Sequence, residues 1–96
     1  YTVPPEVLVW RKPVYPAGLA SGEIGFAEVD LLIGVDGIPR NAWVARSSRP
    51  EFAEPALAAA KKHLFAPALL YDRPVESRLR IGFTIQRDQA PARPPR

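Results

Sequence analysis

The chain has 96 residues, none of them cysteine or methionine, and it begins at Tyr1. Without cysteine there is no disulfide, no thiolate metal ligand and no thiol nucleophile, and the redox compartment stays open. A chain that opens on tyrosine and carries no methionine is expected to be a processed or excised piece of something longer. No apolar run approaches the roughly 20 residues that cross a bilayer, and no signal-peptide pattern opens the sequence, so any anchor is expected upstream of Tyr1. Histidine occurs once, at His63, with no second histidine or cysteine to share a metal, and it reads as a charge at a helix end. Ser47, Ser48, His63 and Asp36 supply the residue types of a triad, but no motif sets a nucleophile on a constrained turn beside a base and oxyanion donors. Glycine-rich phosphate loops are missing too, since Gly34-Val35-Asp36-Gly37 reads as a turn. No enzyme, cofactor or metal site is expected.

Lysine and arginine outnumber aspartate and glutamate by 13 to 10, a net charge of +3. Because the arginines are spread along the chain, solubility accounts for this balance. An acidic partner or anionic surface is the alternative, and no nucleic-acid partner is expected. The length fits one domain, burying roughly two-thirds of the surface of an unfolded chain. Twelve prolines gather largely towards the ends, giving a proline-rich N-terminal extension (1–11), a domain proper (12–86) and a flexible C-terminal tail (87–96). Val7 to Trp10 are too apolar for a free tail and read as a short extended piece against the core. Trp10 is then either packing or a partner contact.

After Tyr15-Pro16, the run Ala17 to Ala20 allows one short N-terminal helical turn, ended by Ser21, Gly22 and Gly25. From Phe26 the period becomes two: Ala27, Val29, Leu31, Ile33 and Val35 share one apolar face, Glu28 and Asp30 the other, and Asp36-Gly37 closes the strand. A weaker strand returns over about Arg40 to Arg46, with Ala42 and Val44 inward. Its Trp43 points outward, either partly covered by the N-terminal segment or an exposed partner contact. Pro39 suits an outer strand or a strand's first residue. A helix follows, capped by Ser48 or Arg49 with Pro50 first, or else regular only from Pro55. Phe52, Ala56, Leu57, Ala60 and Leu64 keep helical spacing, Lys61-Lys62-His63 fall in the last turn, and Pro67 ends it. Ala68 to Pro74 then crosses back. The last strand, Arg78 to Gln86, sets Leu79, Ile81, Phe83 and Ile85 on a dry face and Arg78, Arg80, Gly82, Thr84 and Gln86 on a wet one.

These elements predict an α+β fold: a three-stranded antiparallel sheet of order 2-1-3, with one main helix packed on one face. The most apolar strand lies in the middle and the closing strand on an edge, where another chain's backbone can pair with it.

The order of signals resembles the C-terminal periplasmic domain of the TonB energy-transducer family. The resemblance rests on Tyr15-Pro16, Gly25 with its alternating strand, Asp36-Gly37, Arg46-Ser47-Ser48, Phe52 through Ala56-Leu57, Phe65-Ala66-Pro67-Ala68, Pro74-Val75 and the strand ending in Phe83. The chain departs from the family pattern at Glu23, where an apolar residue is common, at Pro39, where a β-branched one is typical, and at His63, where many members have tryptophan. The resemblance implies the periplasmic domain of an inner-membrane-anchored protein. Its partners would be an ExbB/ExbD-type motor, acting through the upstream part of the full-length protein, and the TonB box of an outer-membrane receptor. Carried onto this sequence, the peptide-binding residues are Arg78, Leu79, Arg80, Ile81, Gly82, Phe83, Thr84 and Ile85, with Tyr15 and Pro16 near the bound segment. Arg73, Arg78 and Arg80 are candidates for meeting receptor carboxylates. The expected function is transmission of proton-motive-force-derived energy for uptake. The alternative is a structural envelope module that pairs with itself or a fixed partner through the same edge, and a homodimer by strand exchange is possible for such an open sheet.

Overall fold

The alternation from Gly25 onward dictates a strand with one buried face, and the computed structural model, which describes residues 1–17 and 23–86, builds the domain around it. Strand β1 spans Glu6–Val9, β2 Gly25–Ile33, β3 Pro39–Ser47, helix α1 Pro50–Ala60, β4 Leu64–Ala66, β5 Ala68–Leu70, β6 Arg73–Val75 and β7 Ser77–Ile85. The main sheet has the order β3-β2-β7 with β2 antiparallel to both neighbours, which is the arrangement expected from the sequence. Ala27, Val29, Leu31 and Ile33 of β2 are wholly buried, facing Phe52, Ala56 and Ala60 of α1 and Ile81, Phe83 and Ile85 of β7. The proposed helical turn over 17–20 and the tail 87–96 fall largely or wholly outside the described residues.

The β2–β7 ladder runs for nine pairs, from Gly25↔Ile85 to Ile33↔Ser77, without a break in register. The β2–β3 ladder shifts twice, leaving Arg40 and Ala45 of β3 without partners opposite. Two extra residues on one strand blur its alternation. That is why β3 reads weakly in sequence.

Three expectations are corrected. Val35 does not continue the core face of β2: it is half exposed, because the chain has already left the sheet into a turn. In that turn the amide of Gly37 bonds the Gly34 carbonyl, and Gly37 adopts φ 82°. A side chain at Gly37 would also collide with the Phe65 carbonyl, so the position demands glycine twice over. Second, the helix ends at Ala60, not near Leu64. Leu64 to Ala66 are drawn instead into β4, which pairs antiparallel with β1, and Leu64 is exposed. The helix start is as read, with extended Arg49 before Pro50 at the first helical position. Pro55 lies inside the helix.

Third, His63 is not a solvated helix-end charge but is wholly buried. Its ring meets Trp10 at 4.4 Å, Phe83 at 5.7 Å and Phe65 at 6.1 Å between centroids. Nδ1 lies 2.9 Å from the Ala59 carbonyl, which can only accept, so Nδ1 carries the proton and Nε2 is left without a partner. Burial pushes the His63 pKa below its ordinary value.

The N-terminal segment is extended, as its prolines predict, and it is paired. Beyond the β1–β4 ladder, Val3 bridges Leu69, and Thr2 Oγ1 both donates to the Leu69 carbonyl and accepts from the Tyr71 amide. Leu69 and Tyr71 belong to the β5–β6 hairpin, which occupies the stretch read from sequence as a simple crossing.

Candidate functional site

Strand β7 exposes its edge because only one neighbour is available to it. Its inner edge is taken by β2, and among the described residues no strand pairs with its outer edge. Ile81, Phe83 and Ile85 are buried beneath the strand and Leu79 is partly buried, while Arg78, Arg80, Gly82 and Thr84 point to solvent. The edge is therefore fastened to the core through every second residue, which holds its outward backbone groups in a fixed row. At Gly82 an added Cβ would meet nothing within 4 Å. The glycine leaves an open notch midway along the wet face.

The wet face is electrostatically crossed by strand-to-strand pairs. Arg80 donates to both carboxylate oxygens of Asp30, at 2.7 and 3.1 Å, and its Nη1 lies 3.8 Å from Glu28. Arg46 donates to Glu28 at 3.0 Å from the far side. The hydrogen bond from Arg80 holds the Asp30 carboxyl below the usual carboxylate range, and Asp30 in turn raises the arginine. Arg80 is thus already engaged inside the domain. Arg78 instead lies over the ring of Trp43, 5.8 Å from its centroid, a cation–π contact. Trp43 stays 42% exposed. Arg78, Arg80, Asp30 and Trp43 line a shallow hollow of about 340 Å³ that runs across the wet face of the sheet from β7 to β3.

Tyr15 sits at the opposite end of the edge from Arg78. Its hydroxyl donates to the Glu23 carbonyl, and its ring packs edge-on against Phe52 at 5.9 Å. The Phe52 ring in turn lies where a Cβ of Gly25 would have to be, and Gly25 pairs with Ile85. Pro16 follows Tyr15 and is partly buried. The predicted site residues therefore fall along one strand and around its C-terminal end, with the tyrosine acting as a packed bracket.

Two features escaped the sequence. The Trp10–His63–Phe83 cluster sets the N-terminal segment over the dry side of β7, with Trp10 5.3 Å from Phe83 and 48% exposed, so Trp10 both packs and shows a face. Its only sequence signal was the apolar run Val7 to Trp10. The Arg46–Glu28–Arg80–Asp30 network follows once the strand order is known, since the alternation puts all four on the wet face.

Comparison with known proteins gives one family. The family model described as Gram-negative bacterial TonB protein C-terminal matches residues 11–85. A search of curated proteins finds no match.

Proposed function

Since the chain belongs to the TonB C-terminal family, whose members are periplasmic, transport-associated domains without enzymatic activity, we propose that it takes up the TonB box of an outer-membrane receptor as an added strand along β7. In this reading, Arg78 to Ile85 supply the docking ladder, and Tyr15 and Pro16 bound its far end. Energy from the proton-motive force reaches the receptor through an inner-membrane-anchored, full-length protein driven by ExbB/ExbD-type motor proteins.

One observation carries the reading: the outer edge of β7 has no partner among the described residues, while the strand itself is held in unbroken register by β2. Backbone pairing recruits any extended sequence, so selectivity falls to side chains that meet the receptor segment beside the edge. The open notch at Gly82 and the Arg78–Trp43 pair are the available features. Each added hydrogen bond nets about 0.5 to 1.5 kcal/mol. A run of about five, roughly 2.5 to 7.5 kcal/mol in all, at best offsets an association cost of roughly 4 to 15 kcal/mol, so an isolated peptide binds at about micromolar affinity or weaker. Loaded side by side, such bonds resist sliding better than bonds peeled singly, which suits a pulling role.

The test is a titration of the isotopically labelled chain with N-terminal receptor peptides, read by NMR. Amide shifts should concentrate on Arg78 to Ile85 and Tyr15. The same peptide with a central residue replaced by proline should lose most of its affinity, because it can no longer complete the ladder. Equal binding of the proline peptide would count against strand addition. A tight dimer showing the same shifts without any peptide would instead mark a pairing edge that carries no transport force.

A further inference from the structure

Four cations gather round a groove of about 600 Å³ between the N-terminal segment and the end of α1, Arg11 and Lys12 on one side and Lys61 and Lys62 on the other. No acidic residue and no residue of β7 lines it. Two apolar side chains stay uncovered among these charges, Val14 at 77% and Leu64 at 43% exposure. Arg11, Lys61 and Lys62 make no ion pair with any described residue. Like charges held close together repel, and exposed hydrocarbon between them contributes nothing to the core, so folding alone gives no reason for the arrangement.

The shape distinguishes between anionic occupants. A membrane surface is met by cations projecting from a protruding face, whereas these cations share a depression whose other lining residues, Val14, Pro55, Ala58, Ala59 and Leu64, are all apolar. That form fits a narrow chain with carboxylates reaching to both sides and a hydrocarbon side chain beneath. We propose that the groove docks an extended acidic peptide segment of a partner protein, its carboxylates paired with Arg11, Lys61 and Lys62 and an apolar side chain laid against Val14 and Leu64. The site is separate from the β7 edge, so the domain holds two independent peptide contacts of different chemistry: one backbone-led, one charge-led.

The experiment titrates the labelled chain with a blocked DLEDLE peptide and with a SLSSLS control. The acidic peptide should shift Arg11, Val14, Lys61, Lys62 and Leu64 and leave Arg78 to Ile85 unmoved, and its affinity should fall as salt rises. A Lys61→Glu/Lys62→Glu variant, or Arg11→Glu if that pair fails to give the native circular dichroism spectrum, should bind at least tenfold more weakly. Unchanged affinity in the folded variant, equal binding of the control, or shifts along β7 would overturn the proposal. So would lysine-dependent binding to vesicles of phosphatidylglycerol and phosphatidylcholine in the absence of peptide binding. Because the readout lies away from β7, a failure here is distinguishable from a failure of strand addition.

Discussion

His63 shows how a single side chain changes meaning when the chain folds. Read along the sequence it follows two lysines at the end of a helical pattern. In the structure it is a neutral ring among Trp10, Phe65 and Phe83, with an unpartnered Nε2. The charges beside it in sequence, Lys61 and Lys62, and those that follow its ring partner Trp10, Arg11 and Lys12, are all positive and give a protonated ring no relief. Its folded pKa lies below the ordinary value of 6.5, so the unfolded chain takes up the proton more readily. The His63 contribution to stability is therefore complete above pH 6.5 and declines as the pH falls below that value towards the depressed folded pKa. His63→Phe should flatten the pH dependence of stability between about pH 5 and 7, as measured by urea denaturation across a pH series. Asp30 works in the same sense lower on the scale: its depressed pKa means stability is present above the ordinary carboxylate range and is lost as acid protonates it. The burial of His63 was not legible because it depends on a contact with Trp10, 53 positions earlier, that no local pattern announces.

Among the elements, β1 illustrates what proline content conceals. Glu6, Val7 and Val9 pair with β4, and Trp10 immediately after them lies over His63 and Phe83. The helix stops early for the same reason, since Leu64 to Ala66 gain ladder partners that a further helical turn could not offer. Cap and proline signals offered Pro50 or Pro55 as the start of α1, and the first holds because sterics and local backbone preferences decide there; periodicity overran its end, where a distant strand decides. Removing the Trp10 ring tests the strap. Trp10→Ala should cost about 2 kcal/mol, roughly half of what a fully buried tryptophan costs, because the ring is half exposed. It should also return the His63 pKa towards 6.5 by admitting water, an upward shift visible in the histidine ring signals by NMR. An unmoved His63 titration would mean that other groups keep it dry.

At the scale of the whole molecule, one small core joins the helix to one side of the sheet, and Phe52 stands at its junction with Tyr15 and Gly25. Phe52→Ala should cost about 3 to 5 kcal/mol. Set against a typical domain stability of about 5 to 15 kcal/mol, that loss brings the chain close to unfolding, and chemical denaturation should show a midpoint displaced accordingly. The sheet order was legible because it follows from three strong signals: the uninterrupted alternation of β2, the turn residues at Asp36-Gly37, and a helix long enough to return the chain. The alternation of β7 also placed its residues correctly on the wet and dry faces. The basic groove was invisible because its two sides come from segments about fifty residues apart in the chain.

The two outer strands of this sheet are unequal. Strand β3 starts with proline and carries two unpaired extra residues, so its rim is bent and a poor template, whereas β7 is regular throughout. A sheet with two good rims propagates without limit, each newcomer offering the next a place to join. With a single serviceable rim, two copies that paired through β7 would leave only their irregular β3 rims outward, and growth would end at a dimer. If β7 takes up a strand as proposed, the irregularity of β3 keeps that pairing to one side of the sheet, which guards the domain against seeding fibres.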